Sequence, residues 1–331
     1  MRSKRPRHEI QRLKECGHLA HKDFCTNELV GKMPTLLEHP PMKSSLTDSA
    51  FIKQLDALNL LARRVLRGSL QADRRTQRRG SGITFADYAP YSFGDDYRAI
   101  DWKIYARTEE LLIKLFEVEE DTTVYILFDC SRSMAPKFDY ARKLAAALGY
   151  IALNGLDRVV VHSITERLGT IVDSARGRGK VFPFLRDLEA AEMSGTDSDF
   201  TACARTFQAR NRKKGVVLVV SDFFFPKGFE EGLRFLQWSG HDVFALQVND
   251  PADLECPWLG DLELECVETS VRQRVTITEK EAKIYREAVA TWNETLRNEC
   301  ARRGVGLAST TTDVPFEVVI QSMLRKGGLV A

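Results

Sequence analysis

No stretch of this chain approaches the about 20 consecutive apolar residues that a membrane-crossing helix requires. Val216-Val217-Leu218-Val219-Val220 is representative of its apolar runs. Basic residues open the chain, but no apolar segment follows them, so no secretory leader is expected. Charge of one sign is also missing: 48 basic residues stand against 46 acidic ones, a formal net charge of +2. That balance excludes a wholesale polyanion binder of the histone kind and an acidic disordered chain. There is no C-x-x-C pair. The seven cysteines are odd in number and scattered, which argues against a disulfide framework and for a reducing cytoplasm. Cys16, His18, His21 and Cys25 are too cramped for the usual zinc finger and read as polar tail.

What is present is an ordinary globular composition. At 331 residues, 44% hydrophobic and 28% charged, the chain can bury a sizeable core in one or two domains. Residues 1–45 carry Arg2, Lys4, Arg5, Arg7 and prolines including Pro34, Pro40 and Pro41 without periodicity, and read as a basic, disordered tail. From Phe51, apolar residues recur at helical spacing (Leu55, Leu58, Leu61, with Leu60 and Val65 beside them), predicting an amphipathic helix that Asp48 or Ser49 caps and that ends near Gly68. Arg74, Arg75, Arg78 and Arg79, followed by Gly80 and Gly82, form a basic segment. No aromatics interleave with it, so a solvated loop is preferred over a phosphate-binding surface.

Strand and helix signals alternate from residue 123. Val124–Phe128 and Gly215–Ser221 are unbroken apolar runs of the kind a fully buried parallel strand needs. Helices are predicted over 138–153, 181–191, 200–210 and 229–238, and strands over 158–164 and 242–248, with Thr170–Val172 closing a hairpin. Two period-two stretches, 258–266 and 271–278, make another hairpin. Thr278 and Glu281 form a capping box opening a long helix that Gly304 ends. A strand at 305–308 and a helix at 315–324 follow. The fold class is α/β: a doubly wound, mostly parallel sheet with a small accessory β-rich subdomain. The expected organisation is a tail (1–45), a helix and β-rich accessory segment (46–122), the α/β domain (123–325) with its inserted hairpin, and a short tail (326–331). The β signals of 83–118 and 258–278 suggest one shared second sheet.

In open α/β sheets ligands bind beyond the carboxyl ends of the strands. The first buried strand ends in Asp129-Cys130-Ser131-Arg132-Ser133, the strand from Gly215 ends in Ser221-Asp222, and Gly195-Thr196-Asp197 falls in a loop before a helix. Two carboxylates and three hydroxyls are thereby expected at one sheet edge. This oxygen-only set suits a hard ion such as Mg2+.

Asp129-x-Ser131-x-Ser133, with Thr196 and Asp222 downstream, resembles the metal-ion-dependent adhesion site of von Willebrand factor A domains. Upstream, Phe85-Ala86-Asp87-Tyr88, Tyr91, Gly94-Asp95-Asp96-x-Arg98-x-Ile100-Asp101-Trp102 and Ala106-Arg107 resemble the family catalogued as domain of unknown function 58. The likeness covers about residues 51–325, departing at Ala89, where members often carry arginine. It implies a von Willebrand-like domain in which Ser131 and Ser133 bind Mg2+ (or Mn2+) directly, Thr196 directly or through water, and Asp129 and Asp222 partly through water. It also implies a MoxR-type AAA+ ATPase, or that ATPase's client, as a partner offering an Asp or Glu to the metal.

The leading reading is therefore a non-catalytic, metal-dependent interaction module. Metal-assisted phosphoester hydrolysis at Asp129 and Asp222 ranks second, because an aspartyl-nucleophile phosphatase wants a second acid where this chain has Ser131. Nucleic-acid binding through Arg74–Arg79 ranks third. A serine hydrolase wants glycines flanking its nucleophile, and Cys-Ser-Arg-Ser-Met has none. Neither His162 nor His241 is placed as a general base. The mixed charges of Gly94–Arg107 read as a paired network that fixes the segment, and Cys130 as a small buried thiol.

Overall fold

The computed structural model describes residues 45–73, 77–79, 84–117, 122–194, 198–225, 227–257, 259–265 and 272–325. The N-terminal tail with its Cys and His residues, Arg74, Arg75 and the Gly195-Thr196-Asp197 loop lie outside them. In chain order the elements begin with α1 (Ser49–Asp73), β1 (Gln77–Arg79), β2 (Thr84–Pro90), α2 (Trp102–Thr108), β3 (Leu112–Glu117) and β4 (Thr123–Asp129). Next come α3 (Phe138–Asn154), β5 (Arg158–Ile164), β6 (Val172–Arg176), α4 (Val181–Glu189), α5 (Phe200–Arg210), β7 (Val216–Ser221) and α6 (Glu230–Trp238). The last are β8 (Asp242–Asn249), α7 (Pro251–Glu255), β9 (Gly260–Glu265), β10 (Arg272–Ile277), α8 (Glu279–Arg303), β11 (Gly306–Thr311) and α9 (Phe316–Arg325).

Two compact units divide the chain at Asn59/Leu60 and Asp121/Thr122. In the larger unit six strands form one sheet in the order β11-β8-β7-β4-β5-β6, parallel throughout except β6, which pairs antiparallel with β5. The two runs with the least polar interruption, β4 and β7, are its central neighbours. Every residue of β4 is buried, as a strand covered on both faces must be. Alternation along it divides the core. Tyr125 and Leu127 pack with Val217 and Val219 against Phe200, Cys203 and Phe207 of α5, Leu233 and Leu236 of α6, and Leu296 of α8. Phe128, of the opposite parity, meets Phe138 of α3 at 5.2 Å between ring centres. On α3, Ala141, Leu144, Ala145 and Leu148 are buried at the predicted helical spacing. Gly149 on the same helix allows close approach, since a Cβ there would lie 2.2 Å from the Phe184 ring of α4.

Local signals also hold. Thr278 and Glu281 form the reciprocal capping box of α8, and Gly304 ends that helix at φ +67°. Three expectations need correction. First, α1 continues past Gly68 to Asp73, and Leu60 is 61% exposed although Phe51, Leu55 and Leu58 are buried. A single glycine costs a helix only about 1 kcal/mol and does not end it. Second, a short helix that the sequence reading did not include, α7, follows β8. Third, the accessory β segments make two sheets. β9 and β10 pair only with each other, while β1, β3 and β2 form a separate antiparallel sheet in the smaller unit. Each ladder finds its partner within its own segment, so neither needs the other.

Candidate metal centre at the strand ends

The chain leaves β4 through α3 to reach β5 on one side, while β7 lies on the other. The crevice of a doubly wound sheet opens at such a switch, beyond the carboxyl ends of the strands. Phe128 is in register with Val220, so Asp129 comes opposite Ser221. Ser221 Oγ donates to Asp129 Oδ2 at 2.6 Å, and Ser131 N donates to Asp129 Oδ1 at 2.9 Å. Both oxygens of this carboxylate are engaged, and the residue is 1% exposed. Burial first, then the nearby Asp222 carboxylate, push its pKa up to about 6 against the relief supplied by Ser221 and Ser131.

The loop after β4 is short. Ser131 enters a single 3-10 turn, Arg132–Met134, whose Met134 is buried and anchors it. This turn brings Ser131 Oγ and Ser133 Oγ to 2.9 Å of each other. A second turn follows β7. Phe223 adopts φ +64°, a left-handed conformation that costs a bulky residue roughly 1–3 kcal/mol. Its fully buried ring packs against Phe200, Phe225 and Phe229 and holds it there. The turn lets Phe224 N donate to Asp222 Oδ1 at 3.0 Å and Phe223 N to Ser221 Oγ at 2.9 Å. Gln247 of β8 donates to the Asp222 carbonyl oxygen at 3.3 Å and to Asn293 Oδ1 at 2.8 Å, tying the turn to α8.

Lys137, just ahead of α3, is the principal residue that sequence reasoning missed. Its Nζ lies 2.7 Å from Asp222 Oδ2 and 2.7 Å from Asp253 Oδ2, and its side chain is 3% exposed. Burial alone would lower its pKa. The two carboxylates outweigh that and hold it above the ordinary lysine range. Asp253 belongs to the capping box of α7, in which Asp250 is the cap. The pattern Asp250-Pro251-x-Asp253 at a strand's carboxyl end signals that box. A lysine before a helix gives no comparable signal, because lysines are almost always solvated.

Do these residues suit the cation that the motif implies? Adjacent oxygens around an octahedral magnesium at about 2.1 Å are about 3.0 Å apart. The two serine hydroxyls already stand at 2.9 Å. Among the described residues no three His, Cys, Asp or Glu side chains converge as a metal group. The donors at this edge are instead two hydroxyls flanked by two acids, a set suited to a hard ion held weakly. Thr196 lies outside the described residues. Asp129, Ser131 and Ser133 lie together at the end of β4, the Asp222 carboxylate after β7 is near Asp129, and Lys137 shares Asp222.

Asp129 is buried with both oxygens bonded. His162 Nδ1 is tied to the Gly169 carbonyl, and burial lowers the pKa of both His162 and His241. Cys130 is a buried thiol, with burial and the Asp129 charge raising its pKa.

The other candidates resolve differently. In the smaller unit, Asp95 accepts from Ser92 N, Asp96 caps the 3-10 turn at Tyr97–Ala99, and Asp101 caps α2 through Lys103 N and Ile104 N. Asp101 also takes the Tyr88 hydroxyl and the Lys114 ammonium, both at 3.1 Å. These acids thus cap backbone N–H groups, Asp101 is in addition ion-paired, and Arg98 lies over the Tyr97 ring. Arg78 and Arg79 belong to β1, paired with β3, which corrects their placement in a loop.

The family model described as "Protein of unknown function DUF58" matches residues 87–297. An uncharacterized protein of Mycobacterium tuberculosis (strain ATCC 25618 / H37Rv) is 25% identical over 292 residues, which is 85% of this chain and 92% of that protein. An uncharacterized protein of Mycobacterium bovis matches to the same extent. Among solved structures, the conserved hypothetical protein BatB from Bacteroides thetaiotaomicron is similar at 15% identity, covering 62% of this chain and 99% of that one, with a TM-score of 0.37. A von Willebrand factor type A protein from Catenulispora acidiphila is similar at 12% identity, covering 65% of this chain and 43% of that one, with a TM-score of 0.32.

Proposed function

This chain belongs to the family of proteins of unknown function DUF58, and we propose that it is a non-catalytic, metal-dependent protein-interaction module whose docking point is the β4/β7 strand-end site. The observation that carries this reading is the Ser131–Ser133 hydroxyl pair at 2.9 Å, set beside buried Asp129 and the Asp222 turn. Ser131 and Ser133 would hold the ion directly, with Thr196 completing the hydroxyl set and Asp129 and Asp222 supporting it. Bound magnesium would supply positive charge and an open position for a carboxylate from another protein. The chain's own part is positional. Ser221 and the Ser131 amide fix Asp129, the strained Phe223 turn aims Asp222, and the Met134 anchor sets the hydroxyl spacing.

The partner that the family resemblance suggests is a MoxR-type AAA+ ATPase, or its client, supplying an Asp or Glu in the cytoplasm. A rigid site on loops held by a buried sheet suits a reversible contact of this kind. No helix among the described residues is long and apolar enough to cross a membrane.

The test is binding of a purified MoxR-type ATPase, by calorimetry, in magnesium and in chelator. Wild type is compared with the Ser131→Ala, Ser133→Ala double variant and with Asp129→Asn. Loss of binding in chelator and in both variants is expected. Equal affinity under all conditions places the contact elsewhere and removes this function from the site.

A further inference from the structure

A buried ion pair is a costly way to fill space, since apolar side chains of similar volume stabilise a core as well or better. Lys137 and Asp222 are such a buried pair, with the partly exposed Asp253 as a third member, and Lys137 lies four residues from Ser133. Lys137 is held in place by its backbone: its N–H donates to the Met134 carbonyl at 2.8 Å, and its carbonyl accepts from Ala141 N at 2.9 Å. Its ammonium also stands 6.0 Å from the centre of the Phe224 ring. The Asp222 oxygen that this ammonium holds is an oxygen withheld from any other cation. Its charge, in a water-poor setting, further opposes a second positive ion nearby.

We propose that Lys137 is a resident cation that competes with the divalent ion for Asp222, with Asp253 as the acid that keeps the ammonium paired when Asp222 turns to the metal. This rests on the metal reading given above. It explains why one lysine has two acids. With Asp222 alone, metal loading would orphan a buried ammonium; with Asp253 also at 2.7 Å, the charge stays matched in both states. The site is consequently tuned to weak loading. It fills when the metal is plentiful, or when a partner carboxylate arrives and supplies the negative charge that Lys137 has offset.

Manganese binding, read by electron paramagnetic resonance of the free ion, tests this without reference to partner or activity. Lys137→Gln keeps a donor for the acids and removes the charge; Lys137→Met removes both; Lys137→Arg keeps the charge. Manganese should bind Lys137→Gln and Lys137→Met at least about tenfold more tightly than wild type, with Lys137→Arg close to wild type. If Lys137→Met folds only with manganese, that is the same result in stronger form, and Lys137→Gln alone then supplies the affinity. If Lys137→Gln binds no more tightly than wild type, while the Ser131→Ala, Ser133→Ala double variant loses binding, the competition is overturned and the metal reading stands. If neither wild type nor Lys137→Gln binds manganese, both fall.

Discussion

Asp101 and Asp222 are both aspartates with a lysine ammonium at hydrogen-bond distance, in different units of the molecule, and they do different work. Asp101 spends one oxygen on the N–H groups of Lys103 and Ile104, two and three residues away, and its Lys114 is 40% exposed. Asp222 is 2% exposed and its lysine, 85 positions distant in sequence, is 3% exposed. The first acid caps a helix and would be explained if the protein had no function. The second is carried into the interior at a strand end, where local capping by Phe224 N does not account for a buried ammonium and a further carboxylate. Acid content does not separate a site from a surface turn; long-range, buried partnership does.

The largest expected effect sharpens that contrast. Lys137→Met, in chelator, should cost about 3–5 kcal/mol in urea unfolding, because it leaves Asp222 buried and uncompensated. Lys114→Met should cost within about 1 kcal/mol, because its ion pair is solvent-screened. Equal losses would mean that burial of the lysine does not set Asp222 apart from Asp101.

Asp129→Asn should act in the opposite direction. In the folded chain the Asp129 pKa is raised from 3.8 to about 6. The folded state therefore binds the proton more tightly than the unfolded chain, and stability falls as pH rises from about 4 to about 6. Above that window the ionised carboxylate is a net cost of up to about 3 kcal/mol. Chelated Asp129→Asn should be the more stable protein at pH 7, and the gap to wild type should close toward pH 4. Magnesium should narrow the gap at pH 7 by stabilising wild type alone. Unfolding midpoints at several pH values, with and without magnesium, check all three statements.

How much of this could be read beforehand follows the same division. β4 and β7 were legible as central strands because parallel strands buried on both faces need uninterrupted apolar runs, and Val124–Phe128 and Val216–Val220 are such runs. The positions of Asp129, Ser131, Ser133 and Asp222 beyond β4 and β7 were legible from the strand pattern, whereas their role as metal ligands comes from the resemblance. Lys137 was not, since its burial depends on Asp222 and Asp253, far along the chain, and local pattern cannot report a pairing made by topology. The charges of Gly94–Arg107 were visible but their roles were not, because an aspartate reads alike whether it caps a backbone N–H or pairs with an arginine. Leu60 misled because it neighbours the buried stripe of α1 without lying on it.

Asp101→Ala should lower stability through loss of the α2 N-cap, with the contact to the exposed Lys114 adding little. Hydrogen exchange should show the loss confined to Trp102–Thr108 and the adjoining strands β2 and β3, with manganese binding unchanged. A change in manganese affinity would mean that the smaller unit contributes to the site.

The smallest stability effect should accompany the clearest functional one. The Ser131→Ala, Ser133→Ala double variant removes two hydroxyls that bond to each other at a short loop turn. Ser131 N still donates to Asp129, and Met134 still anchors the turn, so the loop keeps its path. The two hydroxyls are lost together, and Asp129 gives up only the relief of the Ser131 hydroxyl while keeping Ser221 Oγ and Ser131 N, so the loss is small. Unfolding free energy in chelator should therefore stay within about 1 kcal/mol of wild type. The rise in thermal midpoint that magnesium gives wild type should vanish, since ligand-linked stability requires binding to the folded state. Lys137→Met inverts both features, with a large loss in chelator and a large recovery in metal. If the serine variant instead loses stability while keeping the magnesium response, the hydroxyls are structural, and the ion is held by the acids alone.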